Sequence, residues 1–226
     1  MVKPYSSTGR SNRTPERSSR AAPAPAVEPE TRDRILDAAE AVFTRKGTAG
    51  SRTQEIAREA GVNKALVHYY FGTKAALADA VFERALATIT PVMFGILADP
   101  AITLEDKIPA IVNAQIDFHS TRPYFAGYLL SELHADPERI TRLMGRRGPI
   151  PLEPLRKQLR DAARAGTIRP IRPEQFVANM MGLLIFPFAI RPALCLLLGL
   201  DEGAWRSFLT ERRRFLPGFF MAGLRP

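Results

Sequence analysis

Residues 61–74 read GVNKALVHYYFGTK, and this stretch decides the fold of the N-terminal region. Asn63 is of a type that caps helices and Gly72 of a type that ends them, which predicts a helix of about two turns between them. Thr73 predicts the cap of a longer helix over 74–97. A short helix buries only one face, so the polar groups and rings on its other face need an explanation.

Two helices are predicted before this stretch. The first begins at an N-cap, Thr31, and stops at Gly47. Its inward face follows the helical repeat and consists of Ile35, Leu36, Ala39, Val42 and Phe43. The second covers 53–60, and its start is predicted either as a capping box that begins at Ser51 or as a cap at Thr53.

The third helix has two faces of different chemistry. We expect the inward face to contain Val62, Val67, Tyr70 and Phe71, and the outward face to contain Asn63, Lys64, Ala65, His68 and Tyr69. Asn and Lys can reach base edges in a major groove, Ala permits close approach, and His and Tyr can donate to phosphates. The pattern predicts a helix-turn-helix that binds DNA, although an ordinary amphipathic helix has the same composition.

A family resemblance decides between these two interpretations. The motifs ILDAAxxxFxxxG, IAxxAGV and aromatic-Phe-x-[Ser/Thr]-Lys-x-x-Leu start at Ile35, Ile56 and Tyr70. Their order and spacing resemble the DNA-binding domain of the TetR family of bacterial transcriptional regulators. The resemblance implies a DNA-binding domain over 30–90, with the helix-turn-helix at about 52–71, followed by a larger helical domain for ligand binding and dimerisation over 91–226.

The same resemblance implies roles for individual residues. Phosphate contacts are implied for Thr53, Tyr69, Tyr70 and Lys74, and base-edge contacts for Asn63, Lys64, Ala65 and His68. The amides around Thr73, at a helix N-terminus, add to the phosphate site predicted at Lys74. His68 stands where the family most often has Tyr, Tyr70 where it often has His, and Leu66 where a small polar residue is usual. These departures concern the operator sequence rather than the mode of binding.

The rest of the chain also reads as helical. Segments are predicted over 104–121, 123–134, 137–146, 151–165, 173–198 and 202–222, with no sustained strand alternation, so the fold class is all-α. Pro187 and Pro192 should kink the 173–198 segment. The resemblance implies that the last two segments form a homodimer, which places two copies of the third helix about 34–36 Å apart on a near-palindromic operator.

Aromatic residues supply a predicted cavity for a small apolar or aromatic ligand. The candidates are Met93, Phe94, Phe118, His119, Tyr124, Phe125, Tyr128 and Met144, and plain core packing is the alternative interpretation. The helix over 74–97 could connect such a cavity to DNA. Two interpretations of control remain open: a repressor that a ligand releases from its operator, and a regulator without a small-molecule inducer, controlled by a protein or acting as an activator.

Composition narrows the function further. The net charge of +9 favours an acidic partner such as nucleic acid or an anionic membrane. The single cysteine, Cys195, excludes an internal disulfide framework and favours a cytoplasmic protein. Three scattered histidines and the lack of HExxH, GxSxG or a phosphate-binding glycine loop predict no enzyme, no cofactor and no metal site.

Two segments carry further expectations. Residues 1–29 are predicted to be a disordered basic tail, whose arginines Arg10, Arg13, Arg17 and Arg20 either follow a phosphate backbone or belong to a solvated leader. The apolar stretch 176–200 is long enough to span a bilayer, which makes a membrane-associated helical protein the distant alternative. Arg191 and the prolines beside it favour instead a helix covered by its own domain and by a second subunit.

Overall fold

The computed structural model describes Met1 and residues 29–226, and this part of the chain is all-α, as predicted. The predicted tail and its four arginines lie outside the described residues, apart from its two ends. The helices are α1 Pro29–Gly50, α2 Thr53–Glu59, α3 Lys64–Phe71, α4 Lys74–Ala98, α5 Leu104–Thr121, α6 Phe125–Ala135, α7 Pro137–Gly145, α8 Glu153–Arg164, α9 Pro173–Ala189, α10 Arg191–Leu198 and α11 Glu202–Leu224.

The start of α1 and the cap of α2 differ from the prediction. Helix α1 already begins at Pro29, so Thr31 lies within its first turn and is not an N-cap. The predicted capping box and the alternative cap at Thr53 are also wrong, because Arg52 is the N-cap of α2 and makes no side-chain cap bond. The hydroxyl of Ser51 donates instead to the carbonyl of Thr48 at 2.7 Å. That carbonyl comes within reach because α1 breaks at Gly47, where φ is 70°.

A first hydrophobic core, here called the N-terminal core, joins α1, α2, α3 and the front half of α4. The predicted inward residues of α1 are all fully buried in it. The core extends beyond the predicted domain boundary at residues 90 and 91. The rings of Phe125 and Tyr128 on α6 pack against Phe82, with centroid distances of 5.7 and 4.9 Å. Helix α6 is therefore part of the packing that supports the first three helices.

A second core, the C-terminal core, joins the end of α4 to α5, α8, α9 and α11. Lys107 is fully buried at its edge and donates to the carbonyls of Ile96 and Asp99 at 2.6 Å and of Leu97 at 3.2 Å. These are carbonyls at the end of α4, which lack partners within the helix. Burial lowers the pKa of the Lys107 ammonium. The lysine thus caps the helix that connects the two cores.

The predicted kinked segment over 173–198 is divided into two helices, because the chain bends by 76° between α9 and α10 at Ile190, close to the kink predicted at Pro192. Pro192 has no N–H and its ring crowds the preceding turn, so it is accommodated in the first turn of α10 rather than inside a continuous helix. Pro187 remains within α9. It leaves the carbonyl of Leu183 without its helical donor, and the guanidinium of Arg212 on α11 donates to that carbonyl.

Two parts of the described chain have the length and composition of a membrane span. They are α4, and α9 with α10 if the bent pair formed one span. Both have buried roles in the fold. Helix α4 buries Val81 and Phe82 in the N-terminal core, and α9 buries Phe176 and Leu184 in the C-terminal core.

Candidate nucleic-acid interface

Helix α3 is held at both ends by the residues that predicted its limits. The side-chain oxygen of Asn63 accepts from the amide of Leu66 at 2.8 Å, which makes Asn63 the N-cap. At the other end Gly72 has φ 68° and ψ −71°, a conformation that residues with a Cβ atom rarely adopt. Its amide donates to the carbonyl of His68 at 2.7 Å. The short helix therefore has a defined length and orientation.

The two predicted faces of α3 are confirmed. Val67 is buried, and Val62, Tyr70 and Phe71 are partly buried against the N-terminal core. The outward residues, Asn63, Lys64, Ala65, His68 and Tyr69, are all exposed. Because residues four apart share a helix face, Lys64 lies beside His68 and Ala65 beside Tyr69. The surface therefore presents two adjacent rows of side chains, one with the Lys64 ammonium and the His68 imidazole, the other with the small Ala65 and the Tyr69 hydroxyl.

The predicted phosphate residues lie around this surface in different environments. Thr53 is the half-buried first residue of α2, and the half-buried Tyr70 packs edge-on against Tyr69 with centroids 5.4 Å apart. Thr73 caps α4 as predicted, since its hydroxyl accepts from the amide of Ala76 at 3.0 Å. Lys74 has a structural role that the sequence did not show.

The ammonium of Lys74 donates to the carbonyls of Ala49 at 3.1 Å and Ser51 at 2.9 Å. It thereby ties the front of α4 to the turn before α2. An ammonium has three hydrogens, so one remains for the phosphate contact that the sequence predicts.

Two exposed arginines were missed by sequence reasoning. Arg52, the N-cap of α2, and Arg58, near its end, line a surface cleft together with Lys46 and Lys64. The sequence could have predicted both arginines, because they lie in or beside a helix that the motifs locate. In the part of the chain that the structure describes, neither arginine takes part in an ion pair. The cationic surface around α3 is consequently wider than predicted.

The acidic residues of α2 are paired with cations from α1. Glu59 contacts Arg45 at 2.7 Å, and Glu55 contacts Lys46 at 2.6 Å. Hydrogen bonds from these cations lower the pKa of both carboxyl groups. Because their charge is compensated locally, the two carboxylates reduce the positive potential beside α3 less than unpaired carboxylates would.

The eight residues of the predicted ligand cavity do not come together in one cavity. Phe118, Phe125 and Tyr128 are packed in the N-terminal core, Tyr124 and Met144 are exposed, Phe94 is half-buried, and His119 stacks on Phe188. Met93 borders a cavity of about 30 Å³ between α4, α5 and α9. These residues are spread over several helices, and helical spacing cannot tell a ring that lines a cavity from one that fills a core.

The pKa of His119, one of these eight residues, is strongly shifted by its surroundings. It is buried between Phe118 and Phe188, whose ring centroids lie 5.0 and 4.7 Å away, and its Nδ1 has no hydrogen-bond partner among the described residues. Burial lowers its pKa to about 4, because the charged imidazolium would lose its hydration. His119 is therefore neutral at physiological pH.

In the described ranges, no group of three or more His, Cys, Asp or Glu side chains is arranged to hold a metal ion. The carboxylate of Glu132, which the sequence places near His134 and Asp136, is bonded instead to the guanidinium of Arg139 at 2.9 Å. The Cys195 side chain is half-buried on α10.

The geometry of α2 and α3 defines a helix-turn-helix protein, and comparison with known proteins agrees. The model of the family described as "Bacterial regulatory proteins, tetR family" matches residues 35–81. The HTH-type transcriptional repressor SCO4008 of Streptomyces coelicolor is 35% identical over 93 residues, which cover 41% of this chain and 44% of the repressor. The match thus spans under half the length of that relative.

A longer match places the chain in the family. The HTH-type transcriptional regulator BetI of Brucella abortus is 31% identical over 149 residues, which cover 63% of this chain and 74% of that protein. The chain belongs to the tetR family of bacterial regulatory proteins. The fold is shared more widely: the fatty acid degradation regulator FadR of Bacillus halodurans aligns with a TM-score of 0.59 at 18% identity, over 86% of this chain and 95% of that one.

Proposed function

We propose that the chain is a homodimeric transcriptional repressor of the bacterial cytoplasm that binds a near-palindromic operator through α3. The observation that carries this proposal is the exposed outward face of α3, on a helix held rigidly at both ends. Family membership supports DNA binding, and the name of the Streptomyces relative supports repression rather than activation.

The contacts of α3 support different tasks for its exposed residues. Asn63 already uses its side-chain oxygen to cap the helix, so its amide hydrogens are the groups it can offer to DNA. Lys64 and His68, one turn apart on one face, are the main candidates for base edges. Tyr69, Arg52 and Arg58 lie at the margins, where hydroxyl and guanidinium groups suit phosphates.

An exposed apolar surface on α9 and α11 supports the homodimer. On α9, Met181 and Phe186 are 46% and 55% exposed, and on α11, Phe215 and Phe219 are 61% and 52% exposed. The two α11 rings stack with centroids 5.4 Å apart. Helices α9 and α11 pack together through Phe176 and Phe220, whose ring centroids lie 5.0 Å apart, and exposed apolar side chains on packed helices are typical of a protein interface. A two-fold axis would pair this surface with its own copy and would set the distance between the two α3 helices.

Ligand control is the second part of the proposal. The cavity at Met93, with about 30 Å³, is far smaller than a drug-sized ligand needs. A cleft of about 380 Å³ that includes Tyr124 and Phe125 is large enough, and its lining includes the charged groups of Arg84, Arg122 and Glu40. It lies against α1 and α4, so an occupant there could change their packing. A ligand that weakens DNA binding must itself bind more weakly to the DNA complex, by the same factor.

A binding experiment tests the DNA-binding proposal directly. The purified chain would select duplexes from a randomised pool, and fluorescence anisotropy would compare the selected duplex with a scrambled one at several salt concentrations. We expect a preference of about a thousandfold or more and a site with two related halves. Equal, salt-sensitive binding to both duplexes would contradict an operator-specific function.

A reporter experiment separates the remaining alternatives. The selected duplex would be placed at a promoter, and transcription would be compared with and without the protein. Lower transcription supports the repressor, and higher transcription supports the activator alternative. Operator affinity that stays constant in a screen of small apolar and aromatic molecules would favour the regulator without an inducer. Purification without detergent would exclude the membrane-associated alternative.

A further inference from the structure

Helix α6, which is far away in the sequence, forms hydrogen bonds to the turn over 47–52, between the break in α1 and the start of α2. The amide of Thr48 donates to the carboxylate of Glu132 at 3.1 Å, and the Thr48 hydroxyl shares a hydrogen bond of 2.6 Å with the Tyr128 hydroxyl. Tyr128 and Glu132 lie one turn apart on α6, and they are 80 and 84 residues from Thr48 in the sequence. Both bonds thus join α6 to one residue of the turn.

Buried ion pairs hold Glu132 in place. Its second carboxylate oxygen accepts from Arg139 of α7 at 2.9 Å, and Arg139 also donates to Asp79 of α4 at 2.5 Å. Glu132 and Arg139 are 6% and 8% exposed. Moving one member of a buried charged network leaves another uncompensated, which is costly. The Glu132 carboxylate, which accepts the hydrogen bond from the Thr48 amide, is therefore fixed relative to α4, α6 and α7.

Aromatic packing fixes Tyr128 in the same way. Its ring is buried and stacks on Phe82 at 4.9 Å and on Phe43 at 6.0 Å. Burial raises the pKa of the Tyr128 hydroxyl well above its usual range, so this group stays protonated and able to donate. The hydroxyl is thus a rigidly placed partner for Thr48 and not a flexible surface contact.

The turn that receives these bonds follows a break in α1. Gly47 interrupts the helical backbone, and the chain then passes through Thr48 to the start of α2 at Thr53. The hydroxyl of Ser51 and the ammonium of Lys74 also bond within or to the turn, and the ion pairs of Arg45 with Glu59 and of Lys46 with Glu55 join α1 to α2 across it. Side chains from α4 and α6 therefore contribute to where α2, and with it α3, begins.

Helix α6 also packs closely against the end of α9, one of the two helices of the proposed dimer surface. A Cβ atom added at Gly127 on α6 would lie 3.1 Å from the carbonyl oxygen of Ala189, the last residue of α9. This close approach means that a shift of α9 pushes directly on α6. A continuous set of contacts therefore runs from α9 through α6 and Thr48 to the start of α2.

We infer that Tyr128 and Glu132 are positioning residues for DNA recognition, because they hold Thr48 and thereby set the orientation of α2 and α3. This inference rests on the proposed DNA binding and adds a second connection, through α6, to the one through α4. Apolar packing tolerates small sliding movements, whereas two directional hydrogen bonds to one residue do not. Loss of these bonds should therefore weaken the free energy of operator binding more than it lowers the free energy of unfolding.

A double-mutant cycle tests the Tyr128 bond in the full chain. Tyr128→Phe and Thr48→Val each remove one hydroxyl of the pair and keep the side-chain volume nearly unchanged. Anisotropy on the selected duplex should show that each variant binds about 3- to 10-fold more weakly. The double variant should be no weaker than the weaker single one, because both changes remove the same bond. Fully additive losses, or affinities equal to that of the natural sequence, would overturn the inference.

Matched variants separate positioning from stability. Leu159→Ala removes a fully buried side chain from the C-terminal core. It should lower the melting temperature more than Tyr128→Phe does and leave operator affinity within about twofold. Glu132→Gln, which keeps an acceptor for the Thr48 amide, should retain more affinity than Glu132→Ala. Affinity losses that simply follow melting temperature across this set would show that the role is structural only.

The natural sequence is the reference for both proposals. If it does not prefer the selected duplex over the scrambled one, the proposed function itself fails. If it does, and the Tyr128, Thr48 and Glu132 variants match its affinity, only the inference about α6 fails.

Discussion

The outward face of α3 and the outward face of α9 and α11 are both exposed on one side of helices whose other side is buried, yet their chemistry is opposite. The α3 face presents Lys64 and His68 and has Arg52 and Arg58 near it. The α9 and α11 face presents Phe186, Phe215 and Phe219. Side-chain chemistry, and not helical structure, thus distinguishes a surface suited to a charged polymer from one suited to another apolar surface.

The contrast has a measurable physical consequence. Binding of the α3 face to phosphates, as proposed, would release counterions, so it should weaken steeply as salt rises. Burial of the α9 and α11 face in the proposed dimer would be driven by removal of apolar surface from water, which salt does not screen. Dimerisation and DNA binding should therefore respond differently to ionic strength, and single substitutions should separate them.

The largest effect is expected from a charge placed in the apolar surface. Phe215→Glu should weaken dimerisation by about a hundredfold or more, because an unpaired carboxylate would be buried in the interface. Sedimentation measurements at several concentrations would show this as a shift toward monomer. Thr210→Glu, at another exposed position of α11, is the matched control and should leave the equilibrium nearly unchanged. A dimer that survives Phe215→Glu intact would place the interface elsewhere.

A pH-dependent effect is expected from His119, which stacks on Phe188 of α9. Its folded-state pKa of about 4 lies below the ordinary value of 6.5, so the unfolded chain binds a proton at higher pH than the folded one. The stability contributed by neutral His119 is fully present above about pH 6.5 and is lost as pH falls toward 4. The loss should be on the order of 2–3 kcal/mol.

The His119→Leu variant should lack this component, because leucine does not titrate. Urea unfolding at several pH values would measure the difference between the variant and the natural sequence across that window, while other titrating groups contribute equally to both. Identical pH profiles for the two proteins would mean that His119 is not desolvated in the folded state.

A smaller effect, on DNA selectivity, is expected from the polar face of α3. Lys64→Ala and His68→Ala should each reduce discrimination between the selected and the scrambled duplex by about 1–2 kcal/mol, through loss of base-edge contacts. Both side chains are exposed, so stability should change by less than about 0.5 kcal/mol. Competition anisotropy would measure the selectivity, and Lys157→Ala on α8 controls for general loss of positive charge. Unchanged selectivity would assign these residues to phosphates or to solvent.

The smallest effect is expected from the arginines that the motifs did not reveal. Arg58→Ala should weaken binding to all duplexes by a similar factor and make the salt dependence shallower by about one counterion. Anisotropy titrations over a range of salt concentrations would give the slope. A change that affects the selected duplex alone would mean that Arg58 reads bases.

Local signals predicted the DNA-side helices well because the interactions that end those helices are themselves local. Asn63 and Thr73 cap with amides three residues away, as their positions suggested. Ser51 fitted the same pattern and did not follow it, because the break at Gly47 brought the carbonyl of Thr48 within its reach. The path of the chain before Ser51 therefore determines whether its hydroxyl caps α2 or bonds to the preceding turn.

The bend after α9 shows the opposite case. Pro187 and Pro192 looked alike in the sequence, and only Pro192 lies at a helix start. Arg212 reaches from α11 to the Leu183 carbonyl that Pro187 leaves without a donor, which is a contact between distant residues. The eight candidate cavity residues lie apart for a related reason, since helical spacing is the same for an aromatic residue that fills a core, as Tyr128 does, and for one that borders a cleft, as Tyr124 does.

By itself, the sequence determined the all-α class and the residues on the outward face of α3, because helical periodicity and capping act over three or four residues. Its motifs, through their resemblance to a known family, indicated the helix-turn-helix and the family. Only the tertiary structure decided that Lys74 ties α4 to the turn before α2, and that Tyr128 and Glu132 hold Thr48. Those contacts join residues far apart in the chain. They depend on how separately formed helices pack, which no local pattern records.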